Sequence, residues 1–278
     1  DPKEAERQGQ LAEAFAPDLL HLLDRDQAQA LAGVELAHGG LFFPEGGWVH
    51  PPALCQWLAS QPGIELLTHH EALALRKVDG QWQALAGEQV LAEAPVVVLA
   101  GAAEIKGFSQ SAGLPLKRIR GQITRLPATA TSQSLATVVC AEGYVAPMRG
   151  GEHTLGASFD FKSQDSATTA ADHASNLQLL EAISSDLFQR LHAGQLDPAQ
   201  LQGRAAFRCT SPDYLPIVGP LADLPAFAQA YAALAKDARQ VPDVPCPWLD
   251  GLFVNSGHGS RGLITAPLAA QLLAAWLD

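Results

Sequence analysis

Gly257-His258-Gly259-Ser260-Arg261-Gly262 follows the apolar run Leu252 to Asn255 and opens a helical stretch, yet the chain ends sixteen residues later at Asp278. A dinucleotide-binding fold that begins with such a turn needs a helix, a second strand and an acidic ribose ligand about 20 residues on. The motif is therefore expected to close a nucleotide site whose other walls lie earlier in the chain. Glycines there let backbone approach a ligand, and the helix starting near Leu263 turns its unpaired N–H groups and positive dipole end toward it. Taken alone, the motif leaves a nucleotide or flavin role and an ordinary strand-to-helix turn both open.

A chain of 278 residues that is 47% hydrophobic has core enough for one large domain or two closely joined ones. It has no apolar run near the roughly 20 residues of a spanning helix, and Asp1-Pro2-Lys3-Glu4 offers neither an initiator Met nor an apolar signal region. A soluble chain that starts within a longer protein is expected, with no membrane role. Cys55, Cys140, Cys209 and Cys246 are far apart and form no Cys-X-X-Cys, so neither a metal site nor a disulfide framework is expected, and a reducing cytoplasm fits. The net charge of -11 argues against a broad polyanion-binding surface. Lys117-Arg118-Ile119-Arg120 is the best candidate for a local basic patch, although a solvated strand edge is the favoured reading of so short a charge run.

Residues 4 to 33 look helical, with Leu11, Phe15, Leu19, Leu20, Leu22 and Leu23 recurring near a 3.6 period. Gly39-Gly40 and Gly46-Gly47 then bracket aromatics before a helix that Pro51 and Pro52 would start; a turn and a ligand-lining loop both remain open there. Strands are expected at Ile64 to Leu67, Ala72 to Val78, Trp82 to Leu85 and Val96 to Leu99, with a turn at Asp79-Gly80. The fully apolar Val96 to Leu99, ending in Ala100-Gly101, reads as a buried parallel strand whose end faces a ligand crevice. From 115 to 160 the pattern becomes a mainly antiparallel sheet, with strands at Arg118 to Leu126, Ala136 to Cys140, Tyr144 to Pro147 and Thr154 to Ser158. A helix over 170–191 carries a core stripe of Leu177, Leu180, Ile183, Leu187 and Leu191, a strand runs from Gly203 to Cys209, and Val241 to Pro247 is a connector.

Arg208 ends an apolar strand and precedes the stiff Pro212-Asp213-Tyr214-Leu215-Pro216 turn, a setting that can hold a guanidinium for bidentate carboxylate recognition or pair it with Asp213. Arg261 is a second cation beside the glycine turn. His258 has no positioned nucleophile or orienting carboxylate in sequence, so a turn or hydrogen-bonding role outweighs that of a general base. The sequence shows no carboxylate pair and no Gly-X-Ser-X-Gly elbow, which argues against hydrolysis.

In order, Phe43-Pro44-Glu45-Gly46-Gly47-Trp48, Val96 to Gly101, Arg120-Gly121-Gln122, Glu142 to Pro147, Leu155 to Ser158, Arg208 to Gly219 and Gly257 to Leu263 with Ala266-Pro267-Leu268 resemble the D-amino-acid-oxidase and glycine-oxidase superfamily of flavoproteins. Phe-Pro-Glu-Gly-Gly-Trp and Gly-Ser-Arg-Gly-Leu are closest to its branch that forms the oxidoreductase half of bifunctional bacterial tRNA-uridine-modifying enzymes. The resemblance, which runs from about Ala32 to the C-terminus, implies an α/β (α+β) chain. It would comprise a truncated FAD-binding Rossmann-like domain over 1–114 and 240–278 and a mainly antiparallel substrate domain over 115–239. It implies Arg208, Arg261 and Tyr144 as catalytic residues, with Arg208 clamping a substrate carboxylate; Arg261 lies one place off the second arginine of glycine oxidases. It also implies FAD contacts from Gly46, Gly47, Ala72, Ala100, Gly101, Gly257, His258, Gly259, Ser260, Arg261, Gly262 and Leu263.

The implied reaction is FAD-dependent removal of the carboxymethyl group of 5-carboxymethylaminomethyl(-2-thio)uridine at the tRNA wobble position, as glyoxylate. A free glycine or sarcosine-type oxidase and a non-catalytic fragment are the alternatives. The family's first glycine loop, which grips the FAD pyrophosphate, is not in this sequence, and neither is the fused methyltransferase domain that would use S-adenosylmethionine. A fragment that retains FAD weakly or not at all is the resulting expectation.

Overall fold

The computed structural model describes residues 2–277. The chain folds as two compact units, Asp1–Ile64 with Arg120–Ala206 and Glu65–Ile119 with Phe207–Asp278. In chain order, the first unit begins with α1 (Pro2–Ala14), β1 (His21–Leu23), α2 (Arg25–Ala32), β2 (Gly40–Phe42) and α3 (Pro51–Ala59). The second supplies β3 (Ala74–Val78), β4 (Gln81–Ala86), β5 (Gln89–Ala94) and β6 (Val97–Leu99). Along β7 (Lys117–Pro127) the chain re-enters the first unit, which continues with β8 (Val139–Cys140), β9 (Tyr144–Val145), β10 (Glu152–Gly156), α4 (Ala170–Ile183) and α5 (Ser185–Arg190). β11 (Gln202–Thr210) leads out again to β12 (Ile217–Ala222), α6 (Leu224–Ala230), β13 (Trp248–Ser256) and α7 (Gly262–Leu277). Compactness thus divides the chain differently from the 1–114, 115–239 and 240–278 boundaries expected above, which concern cofactor and substrate roles.

In the first unit the single helical stretch expected over 4–33 is instead α1, β1 and α2. Pro17 lacks the N–H that a continuing helix would use, and Leu22 lies opposite Leu41 in the antiparallel β1–β2 pair. Asp24 starts α2 with a reciprocal cap: its carboxylate accepts the Gln27 N–H at 2.8 Å, and the Gln27 side chain accepts the Asp24 N–H at 3.0 Å. The expected antiparallel sheet is present, in strand order β11-β7-β10-β9-β8, with Leu155 opposite Thr124 on one side and Val145 on the other. The helix expected over 170–191 breaks at Ser184. Its hydroxyl accepts the Leu187 N–H to start α5 and donates to the Glu35 carbonyl at 2.5 Å. The stripe of Leu177, Leu180, Ile183, Leu187 and Leu191 is buried against Leu126, Val145 and Leu155 as one core.

The buried face of β7 is mostly polar. Arg120, 3% exposed, donates from Nε to Asp165 O at 2.8 Å, from one terminal nitrogen to Asp172 Oδ2 at 2.6 Å, and from the other to Gln122 Oε1 and Ala167 O. Gln122 also accepts the Thr169 N–H and donates to Thr169 O, while Thr124 bonds His173 Nδ1 at 2.8 Å and accepts from Asn176. Burying a guanidinium is tolerable because its donor fork is filled by one carboxylate and neutral oxygens. Arg120 is therefore no part of a surface basic patch, which corrects that expectation.

In the second unit β3, β4 and β5 form an antiparallel meander. Its first turn places Asp79 (φ 50°) and Gly80 (φ 81°) in the left-handed region that such hairpins require. β5 was not expected, and Ile64 to Leu67 form no strand. The other sheet runs β12-β13-β6, with β6 parallel to β13 and β12 antiparallel to it. β6 is thus parallel as expected but less buried, because it is the outer strand among the described residues; Leu99 is buried while Val98 remains 37% exposed. Leu75, Trp82, Leu99, Ile105, Leu252 and Val254 make this unit's core. None of the described helices is long and apolar enough to cross a membrane.

Arg120→Ala should lower stability by about 3 kcal/mol, because the half-buried Asp172 would lose its cation and the buried Gln122 and the carbonyls of Asp165 and Ala167 would lose their donor. Arg120→Lys should recover little, since an ammonium cannot fill the same fork. Burial pushes the Asp172 carboxyl up, but hydrogen bonds from Arg120, Thr169 and Ser158 bring it below its ordinary value. Its stabilising share is present above about pH 4 and fades as pH falls through the folded-state value. Thermal unfolding of both variants between pH 7 and pH 3 reads this as a flatter acid limb in Arg120→Ala.

Candidate active site

β13 delivers the chain to the glycine turn, and α7 carries it away. Gly257 (φ 81°) is buried and is required by its backbone conformation, and a Cβ there, 3.3 Å from Leu116 Cδ2, would also crowd that side chain. Gly259 (φ 60°) needs its conformational freedom but has more room, since a Cβ there would stand 3.5 Å from Thr210 Oγ1. The turn is stitched to the end of β11: the Gly259 N–H donates to Cys209 O at 2.6 Å, and Thr210 bridges His258. Arg208, half-buried on β11, is the neighbour of the residue that accepts this bond.

His258 is held at both ring nitrogens, with Nδ1 2.8 Å from Thr265 Oγ1 and Nε2 2.8 Å from Asn255 Oδ1. Burial pushes its pKa below the ordinary histidine value. The ring therefore braces the strand end against the first turn of α7, in agreement with a turn role rather than that of a base. Sequence reasoning missed Asn255 and Thr265 as its partners; a polar residue ending an apolar strand and a Thr seven positions after the His were the available signals.

Among the described residues the N–H groups of Ser260, Gly262 and Leu263 have no backbone acceptor, and Pro267 supplies no N–H to the Leu263 carbonyl. There is no acidic side chain between Asp250 and Asp278, and the exposed Arg261 adds a positive charge. Unpaired N–H groups at a helix start, a nearby cation and no acidic side chain within residues 251–277 suit an electron-rich ring edge, so these residues fit a flavin. Asp213 places its carboxylate within its own loop, accepting from Ser211 Oγ at 2.8 Å and the Leu215 N–H at 3.1 Å.

Ala72, Ala100 and Gly101 also belong to the second unit. Ala72 precedes β3, while Ala100 and Gly101 follow β6 and lead into a short 3-10 helix at Ala102–Gly107. Gly46, Gly47 and Tyr144 belong to the first unit. A Cβ on Gly46 would strike Phe43 at 2.9 Å, so local packing accounts for that glycine, whereas Gly47 opens onto free space. Tyr144 lies on β9, half-buried, opposite Gly156 and Cys140. Arg118 is paired with Glu104 at 2.7 Å and covers the Phe207 ring at 5.7 Å.

Residues 1–276 match the family described as FAD dependent oxidoreductase. The tRNA 5-methylaminomethyl-2-thiouridine biosynthesis bifunctional protein MnmC of Pseudomonas fluorescens is 76% identical over 276 residues, covering 99% of this chain and 42% of that protein. Its namesake in Pseudomonas putida is 73% identical over 277 residues, covering 100% of this chain and again 42% of the relative. The chain thus spans 42% of the length of these curated relatives. Glycine oxidase from Geobacillus kaustophilus superposes with a TM-score of 0.74 at 20% identity, over 99% of this chain and 68% of that one. L-Proline dehydrogenase from P. horikoshii gives 0.75 at 15%, over 100% and 70%. These two likenesses establish the mixed α/β fold with antiparallel sheets.

Gly257→Ala combines a positive φ with a tight Cβ contact, whereas Gly262→Ala has neither, its nearest atom lying 3.8 Å away. The first should cost about 1–2 kcal/mol and the second well under 1 kcal/mol. Urea titrations of the two variants distinguish them, and equal midpoints would mean that the turn does not depend on Gly257.

Proposed function

The chain belongs to the FAD-dependent oxidoreductase family, and from that premise we propose that it forms the oxidase part of a tRNA-modifying enzyme. The substrate would be 5-carboxymethylaminomethyluridine, or its 2-thio form, at the wobble position, and the products the 5-aminomethyl base and glyoxylate. Support comes from relatives named for biosynthesis of a methylaminomethyl-thiouridine in tRNA. The observation that carries the site assignment is the Gly259 to Cys209 bond, which fastens the flavin-suited turn beside the strand bearing Arg208.

FAD held at this turn would supply the hydride acceptor needed to oxidise the methylene carbon between the substrate nitrogen and its carboxylate. The substrate C=N bond formed by that oxidation would add water and break to the amine and glyoxylate, a sequence that requires no protein nucleophile. Arg208 would grip the carboxylate as a bidentate partner and so fix which C–H faces the ring. Arg261 would serve either the same carboxylate or a cofactor carbonyl, the helix-start N–H groups of Ser260, Gly262 and Leu263 would face the ring edge, and Tyr144 would complete the catalytic set. Residues 1–114 with 240–278 would be the cofactor-binding part, with Gly46, Gly47, Ala72, Ala100 and Gly101 contributing, and 115–239 the substrate part. A methyltransferase domain using S-adenosylmethionine would be fused in the longer protein, acting in the cytoplasm. With Arg120 buried, Arg118 paired and a net charge of -11, attraction for the tRNA backbone would reside mainly in that other domain.

In the full-length protein, Arg208→Ala should cut glyoxylate release at least a hundredfold while the flavin spectrum persists. Nucleoside mass spectrometry of tRNA before and after incubation follows the loss of the carboxymethyl group. Wild-type turnover by the variant would remove Arg208 from the mechanism, and turnover of free glycine or sarcosine instead of tRNA would replace the proposed substrate.

A further inference from the structure

Tyr214 holds a backbone φ of 62°, the largest among the positive-φ residues other than glycine, in the loop that leaves β11. For a bulky side chain this region is strained, and glycine would occupy it freely. The loop is built to hold the conformation. Ser211 Oγ, buried, lies 2.8 Å from Asp213 Oδ1 and 2.6 Å from Leu215 O, Asp213 accepts the Leu215 N–H, and Pro212 and Pro216 stiffen the two ends. Within this chain the strained residue gains little from packing, because Tyr214 is 66% exposed and Leu215 beside it 64%. Backbone strain retained under an aromatic ring that stays outside the core points to a use for the ring beyond the fold.

The loop starts at Ser211, three residues after Arg208, and Thr210 at its root bridges His258 of the glycine turn, so it emerges from the hydrogen-bonded joint described above. We propose that Tyr214 is a specificity residue that stacks on a nucleobase of the RNA substrate. An exposed aromatic plane on a stiff loop is the recurrent means of holding an unstacked base, whereas a free amino acid such as glycine presents no ring to it. This inference rests on the tRNA reading of the same site. The tyrosine acts on binding and orientation and takes no part in bond making or breaking.

The test uses the full-length protein with Tyr214→Gly, Tyr214→Phe and Tyr214→Trp, assayed on modified tRNA for KM and kcat, with thermal unfolding and the flavin spectrum as folding controls. Tyr214→Gly should raise KM for tRNA about tenfold, by more than kcat falls, with an unfolding temperature equal to or above that of the wild type. Phe and Trp should restore most of the lost affinity. A Gly variant with wild-type KM, or a Phe variant as impaired as Gly, overturns the stacking role while leaving the tRNA reading standing. Failure of the wild-type protein itself to convert modified tRNA refutes that reading and this inference with it.

Discussion

A single backbone hydrogen bond, from the Gly259 N–H to the Cys209 carbonyl, fixes the part of the molecule on which its chemistry would depend. It joins the last residues of β11 to a turn far along the chain, and Gly257 and Gly259 supply the positive φ angles that let the turn present that N–H. His258 then braces the same turn from the other side through Asn255 and Thr265. A guanidinium on a strand end and a set of unpaired N–H groups are useful together only if their backbones share one frame, and this bond supplies it.

Local charge differs in kind from overall charge here. The chain is acidic, yet from Ser256 through α7 to Leu277 its charged side chains reduce to Arg261. A site can thus favour electron density on a bound ring while the surface at large repels polyanions. The two requirements of a tRNA-directed flavin oxidase, a field suited to the cofactor and attraction for phosphates, need not be met by the same residues.

Sequence made much of this legible where local chemistry dominates. The Asp79-Gly80 turn, the Pro-started α3, the antiparallel strands from β7 to β10, the buried leucine stripe and the strand–turn–helix at Gly257 to Gly262 all follow from residue types at short spacing. It misled where distant partners decide. Leu22 pairs with Leu41 as strand, so a helical leucine rhythm across 4–33 was overridden by a contact the rhythm does not encode. Ser184 interrupts α4 because Glu35, distant in sequence, takes its hydroxyl hydrogen. Arg120 looked like surface charge because its ligands, Asp165, Ala167 and Asp172, lie well downstream. At the site, the glycine turn and Arg208 could be singled out from residue types, but the bond that couples them could not, being a backbone contact without a side-chain signature.

The buried guanidinium of Arg120 also has a dynamic consequence. The connection from Ser158 to Thr169 has no regular structure of its own, and such segments ordinarily open locally at little cost. Here its backbone is clamped: Ser158 and Asp160 exchange bonds with Gln122 and Arg120, and the carbonyls of Asp165, Ala167 and Thr169 end on the same two side chains. Releasing it would strand donors of a buried cation, which opposes local opening at Asp165 and Ala167. The amides of Ser158, Asp160 and Thr169, which donate to Gln122 and Arg120 of β7, should be slower to exchange with solvent than those of the exposed residues between them.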